Sequence, residues 1–116
     1  MKKLSESIMK GFLTEKAKAD AKAKVETIEA NCSHFKVGKA GEKLDDRLNQ
    51  PDYNDTYSNI EEIFSTPYKE KASAMEAYLI DEFISHHKCD NKKDGDESIN
   101  DTMADSDTYY VYVVSR

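Results

Sequence analysis

Thr108-Tyr109-Tyr110-Val111-Tyr112-Val113-Val114 has the highest strand propensity in the chain. Its β-branched and aromatic side chains suit a pleated, packed surface. A strand this apolar is expected in the interior of a sheet. Cys32-Ser33-His34-Phe35-Lys36-Val37 reads as the first strand. Tyr57 to Thr66, with apolar Ile60, Ile63 and Phe64, reads as the second, and Pro67 closes it. The three-residue spacing of Ile60 and Ile63 also fits a short helix.

Helices fill the intervals. From Leu4 to about residue 30, apolar residues recur at helical spacing (Leu4, Ile8, Phe12; Met9, Leu13, Ala17, Ala21, Val25, Ile28), which predicts a long N-terminal helix. Gly11 and Thr14 are places where it can divide, although Ala17 stands where a capping box wants Glu or Gln. Asn31 is its natural stop. Tyr68 to about His87 is the strongest helix, with Ala72, Met75, Leu79, Ile80, Phe83 and Ile84 on one face. Glu76 falls inside that face, four residues from both Ala72 and Ile80. A carboxylate there must be paired, metal-bound or aimed into a cleft, because burying it alone is costly; the plainest form is a bridge to a lysine or to Arg47. Cys89 to Asp107 is polar and acidic and reads as a long loop. The fold class that follows is α/β in the α+β sense: a small, mainly antiparallel three-stranded sheet flanked by helices. Residues 1–31 form an N-terminal helical segment and residues 32–116 the main domain, within one compact unit.

Between the first two strands lies His34-Phe35-Lys36-Val37-Gly38-Lys39-Ala40-Gly41-Glu42-Lys43-Leu44-Asp45-Asp46-Arg47-Leu48. Gly38 suits close backbone approach, and Gly41 suits a turn with positive φ. Leu44 and Leu48 share one helix face with Arg47 at its edge. Taken alone, this is an ordinary strand-turn-helix corner with a solvated arginine.

The totals set bounds. The chain has 116 residues and a net charge of -6, with 38% hydrophobic and 34% charged residues. Mean hydropathy is -0.82, so the core is small. Nine lysines against five acidic residues give residues 1–40 a net +4, which leaves -10 for the remainder. The acidic body disfavours whole-molecule attraction to nucleic acid, while the basic first third leaves room for a local anion site. No apolar run is long enough to span a membrane, and no apolar h-region follows Met1-Lys2-Lys3-Leu4, so no secretory signal is expected. Two cysteines, Cys32 and Cys89, make no disulfide framework, and a cytoplasmic location with reduced thiols is expected.

The order of these motifs resembles the GIY-YIG nuclease superfamily over residues 35 to 91. Lys36-Val37-Gly38-Lys39 resembles the second half of the family's name motif, in the Lys-Ile-Gly style of some branches, including phage-encoded ones. Arg47, within Leu44-x-x-Arg47-Leu48, matches the family arginine. Glu76, within Met75-Glu76-Ala77-Tyr78-Leu79-Ile80, matches the metal-binding glutamate, and Asn91, in Cys89-Asp90-Asn91, the asparagine beyond that helix. The family's first strand is missing upstream. Tyr110-Val111-Tyr112-Val113-Val114 resembles it, which implies a circular permutation in which residues 109–115 pair beside 33–38 and Tyr112 takes the place of the first tyrosine. Tyr110 stands where the family has glycine.

The resemblance implies a metal-dependent endonuclease acting on nucleic acid, DNA in preference to RNA, with one Mg²⁺ or Mn²⁺ on Glu76. Tyr112 or Lys36 would orient or deprotonate the water. Arg47 would hold the phosphate, Asn91 would fix the substrate or the tyrosine, and Lys39 and Lys43 would add substrate contacts. The alternative is a degenerate member that binds without cutting, with a protein partner or self-association through the N-terminal helix. A zinc site from Cys32-x-His34 and His86-His87-x-Cys89 has unusual spacing, and zinc is not expected. A Cys32/His34 nucleophile lacks a recognisable oxyanion element or orienting group.

Overall fold

A computed structural model describes residues 13–41, 56–100 and 103–116. Helix α1 spans Glu15–Ala30, strand β1 Phe35–Ala40 and strand β2 Asn59–Thr66. Helix α2 (Lys69–Phe83), a one-turn helix α3 (Gly95–Ser98) and strand β3 (Tyr109–Ser115) follow. The three strands make one sheet in the order β1-β3-β2, with β3 antiparallel to both neighbours. The C-terminal strand is therefore the centre of the sheet, as its apolar run requires. It lies beside residues 35–40, with Tyr112 opposite Gly38.

Alternation along the strands divides the sheet into two faces. Phe35, Val37, Val111 and Val113 face the helices and share a core with Ala21, Val25, Met75, Leu79, Ile80 and Phe83. Phe83 meets the Phe35 ring edge-on at 5.9 Å between centroids, a favoured aromatic geometry. On the other face Ala40, Tyr57, Tyr112 and Val114 form a second buried cluster. The register of β2 shifts between Glu62 and Phe64. This bulge turns Ile63 and Phe64 both toward the helix-side core, while Ile60 packs on the Tyr112 face, so the three-residue Ile60/Ile63 spacing places the two isoleucines on opposite faces of a strand.

Helix α1 begins at Thr14, one of the two places where the apolar stripe can divide. Thr14 is extended, and its hydroxyl accepts the Ala17 N–H at 3.0 Å. That side-chain bond alone caps the helix, without a capping box. Residues 4–12 of the predicted helix lie outside the described residues. At the far end Asn31 stops the helix, and its side chain bonds the Thr27 carbonyl at 2.8 Å. Ala21 and Val25 enter the same core as the sheet.

Two glycine readings resolve differently. Gly38 sits in mid-strand, because β1 runs on to Ala40, and a Cβ there would overlap the Tyr112 phenol ring. Gly41 does not have a positive φ; a Cβ there would overlap the Ala104 carbonyl. Close approach selects both glycines. The predicted loop from Cys89 to Asp107 contains α3, capped by the Asp94 carboxylate on the Glu97 N–H at 2.9 Å. Asp81 on α2 also accepts the Gly95 N–H at 2.8 Å, which fastens α3 over α2.

Candidate functional site

Glu76 is the residue that the resemblance makes most consequential. It is 5% exposed on the sheet-facing side of α2. Lys39 reaches it from β1 and is 7% exposed. Its ammonium lies 3.7 Å from Glu76 Oε1 and donates to Ser73 Oγ at 3.1 Å and to the Ser98 carbonyl at 2.9 Å. The Ser98 hydroxyl donates to the same Glu76 oxygen at 2.6 Å. Three elements thus meet at one buried cluster: β1 supplies the cation, α2 the carboxylate and Ser73, and α3 both groups of Ser98. Periodicity identified Glu76 as an anomaly, and its lysine partner was among the alternatives. Strand alternation turns Lys39 to the helix side together with Phe35 and Val37, and the packing of α2 on that face sets it beside Glu76.

This environment does not fit a hydrated magnesium ion. Mg²⁺ keeps several waters and prefers near-octahedral oxygen donors. Glu76 Oε1 instead accepts a hydrogen bond from the Ser98 hydroxyl and stands beside an ammonium, and its side chain is 6% exposed. Among the described residues no group of three or more His, Cys, Asp and Glu is placed to hold a metal ion.

Tyr112 is 1% exposed and lies with Gly38 on the face opposite α2, so the sheet separates it from Glu76. Lys36 shares the Tyr112 face and is half-buried. Asn91 brackets one residue of β1: its Oδ1 accepts the Val37 N–H at 2.9 Å and its Nδ2 donates to the Val37 carbonyl at 2.9 Å. Its side chain thereby takes the place of a strand partner. Lys39 is committed to the buried cluster. Lys43 and Arg47 lie outside the described residues, as does the helix predicted to carry Arg47.

One polar constellation was not foreseen. The His34 ring nitrogen Nδ1 lies 3.0 Å from Asp90 Oδ1, and the Tyr57 hydroxyl donates to Asp90 Oδ2 at 2.7 Å. This ties the entries of β1 and β2 to the segment after α2. Nothing in the spacing of residues 34, 57 and 90 signals it. Asp90 does supply His34 with an orienting group, yet Cys32 is not activated. Its thiol sits 3.9 Å from the Glu29 carbonyl, and burial pushes its pKa above the ordinary value, away from thiolate. Burial likewise raises the Cys89 thiol. His86 pairs with Glu29 at 2.8 Å, as His34 does with Asp90.

No helix among the described residues is long and apolar enough to cross a membrane. Comparison with protein-family models, curated proteins and solved structures finds no match for this chain.

Proposed function

We propose that this chain is a non-catalytic binding module on a GIY-YIG-like plan, in which the metal-carboxylate position has become a fold-locking ion pair. The observation that carries the reading is the buried Lys39–Glu76 pair closed by Ser73 and Ser98. The separation of Glu76 and Tyr112 by the sheet supports it as well, because cleavage requires the metal ligand and the water-orienting group at one phosphate. The net charge of -6 favours a protein partner over nucleic acid, whose phosphates demand a basic footprint.

The endonuclease reading rests on the pairing of β3 beside β1 with Tyr112 opposite Gly38. Incubation of plasmid DNA, single-stranded DNA and RNA with the protein and Mg²⁺ or Mn²⁺, alongside Glu76→Ala, separates the two. No cleavage by either protein, with the variant less stable, is the expected result. Metal-dependent cleavage that disappears in Glu76→Ala overturns the binding-module reading and restores a single-metal endonuclease.

A further inference from the structure

The two outer edges of the sheet are treated differently. On β1 the outer edge is closed. The Phe35 N–H donates to the Lys88 carbonyl at 2.9 Å, the Asp90 N–H donates to the Phe35 carbonyl at 2.8 Å, and Asn91 brackets Val37. On β2 the closure is local: the bulge lies at Ile63, and Lys24 Nζ reaches the Ile63 carbonyl at 3.4 Å. Among the described residues no strand pairs with the outer side of Asn59–Glu62. Asn59, Glu61 and Glu62 are exposed there.

A cavity of about 260 Å³ opens beside this stretch. It is lined by Ile28, Asn31 and Cys32 from the end of α1, by Asn59, Ile60 and Glu61 from β2, and by Ser115. Its volume falls below the roughly 300–1,000 Å³ of small-molecule sites and suits a side chain. Glu61 pairs with Val113 on the helix side and lines the cavity. Glu62 pairs with Tyr112 and lies on the other face. A strand laid along this edge therefore meets a carboxylate on each face at successive positions.

We propose that Asn59–Glu62 and the adjoining cavity form a docking site for an extended basic peptide segment of a protein partner, added to the sheet as a fourth strand. Main-chain hydrogen bonds to β2 supply affinity, and the cavity supplies selectivity, as in other strand-addition sites. One Lys or Arg of the segment lays its aliphatic stem against Ile28 and carries its charge to Glu61; the next basic residue faces Glu62. A second copy of this chain is disfavoured as the occupant, because pairing two such edges gathers the Glu61 and Glu62 carboxylates of both copies in one short stretch. The site rests on the binding-module reading and names its partner class, whereas its test is independent of the cleavage assay, so the two can fail separately.

The test is titration of the full chain, followed by amide resonances, with the peptide acetyl-Thr-Val-Arg-Arg-Val-Thr-amide. Saturable shifts confined to residues 59–62 and the cavity lining are expected, with none from the Glu-Glu counterpart. N-methylation of one alternate set of peptide amides abolishes binding, and methylation of the other set leaves it intact. The double reversal Glu61→Lys/Glu62→Lys, at exposed positions that the fold tolerates, weakens binding by about tenfold or more. Equal binding by both methylated peptides, shifts elsewhere, or no saturable binding overturns the proposal. Concentration-dependent self-association that shifts the same amides without peptide also overturns it, in favour of a second copy.

Discussion

Replacing Lys39 with methionine removes one charge from the buried cluster while keeping the side-chain stem. The Lys39 and Glu76 side chains are 4% and 6% exposed, so solvent screens neither. Breaking such a pair from one side leaves an uncompensated buried charge and costs about 3–5 kcal/mol. For 116 residues, an unfolding entropy of about 2.1 cal/mol/K per residue gives about 0.24 kcal/mol/K for the chain, and the loss becomes a fall in Tm of about 12–20 °C. Lys39→Met/Glu76→Leu removes both charges. It recovers most of the loss, because paired charges and well-packed apolar replacements are close in energy. The recovery is incomplete, since the Ser98 carbonyl and Ser73 hydroxyl still lose the lysine as donor. Urea unfolding of wild type, both single variants and the double variant closes a double-mutant cycle; because the double variant costs less than either single, the expected coupling is at least the cost of one single variant, about 3 kcal/mol or more. A Lys39→Met protein within about 1 kcal/mol of wild type, or a double variant destabilised by the sum of the singles, refutes the reasoning.

Four further outcomes are expected. Ser98→Ala removes the hydroxyl that donates to Glu76 and costs about 1.5–3 kcal/mol in urea unfolding, the range for a hydrogen bond to a charged group. Gly38→Ala forces a Cβ into the Tyr112 ring and costs about 1–3 kcal/mol by overpacking, read as a lower urea midpoint at unchanged slope. Asn91→Asp keeps an acceptor for the Val37 N–H but loses the donor to its carbonyl; it destabilises the sheet edge by about 1–3 kcal/mol, and Asn91→Ala also accelerates hydrogen exchange at the Val37 amide. Burial raises both thiol pKa values, so alkylation at about pH 8 runs slower in the folded chain than in urea, where thiols titrate near 8.5. Because the raised pKa favours the neutral thiol in the folded state, this stabilisation is complete below the unfolded pKa and is lost as pH rises through the folded one. Equal alkylation rates in the folded and unfolded chains would refute burial of the thiols.

The sequence by itself determined the three strands and the order in which they occur. The uninterrupted apolar run from Tyr109 to Val114 has no stable place except inside a sheet, and the stripe from Ala72 to Phe83 has none except against one. It also marked Glu76 as a carboxylate on an apolar face that needed a partner. Local chemistry carried this much, because propensity and periodicity act over a few residues. The short helix at Gly95 was less legible, since it depends on one side-chain cap. The tertiary structure alone decided which cation answers Glu76, that Asn91 serves β1 in place of a strand partner, and that Asp90 gathers His34 and Tyr57. Each joins residues 33 to 56 positions apart. Nothing in a local pattern encodes such a distance; only the sheet register and the packing of α2 and α3 across it bring those atoms within hydrogen-bond reach.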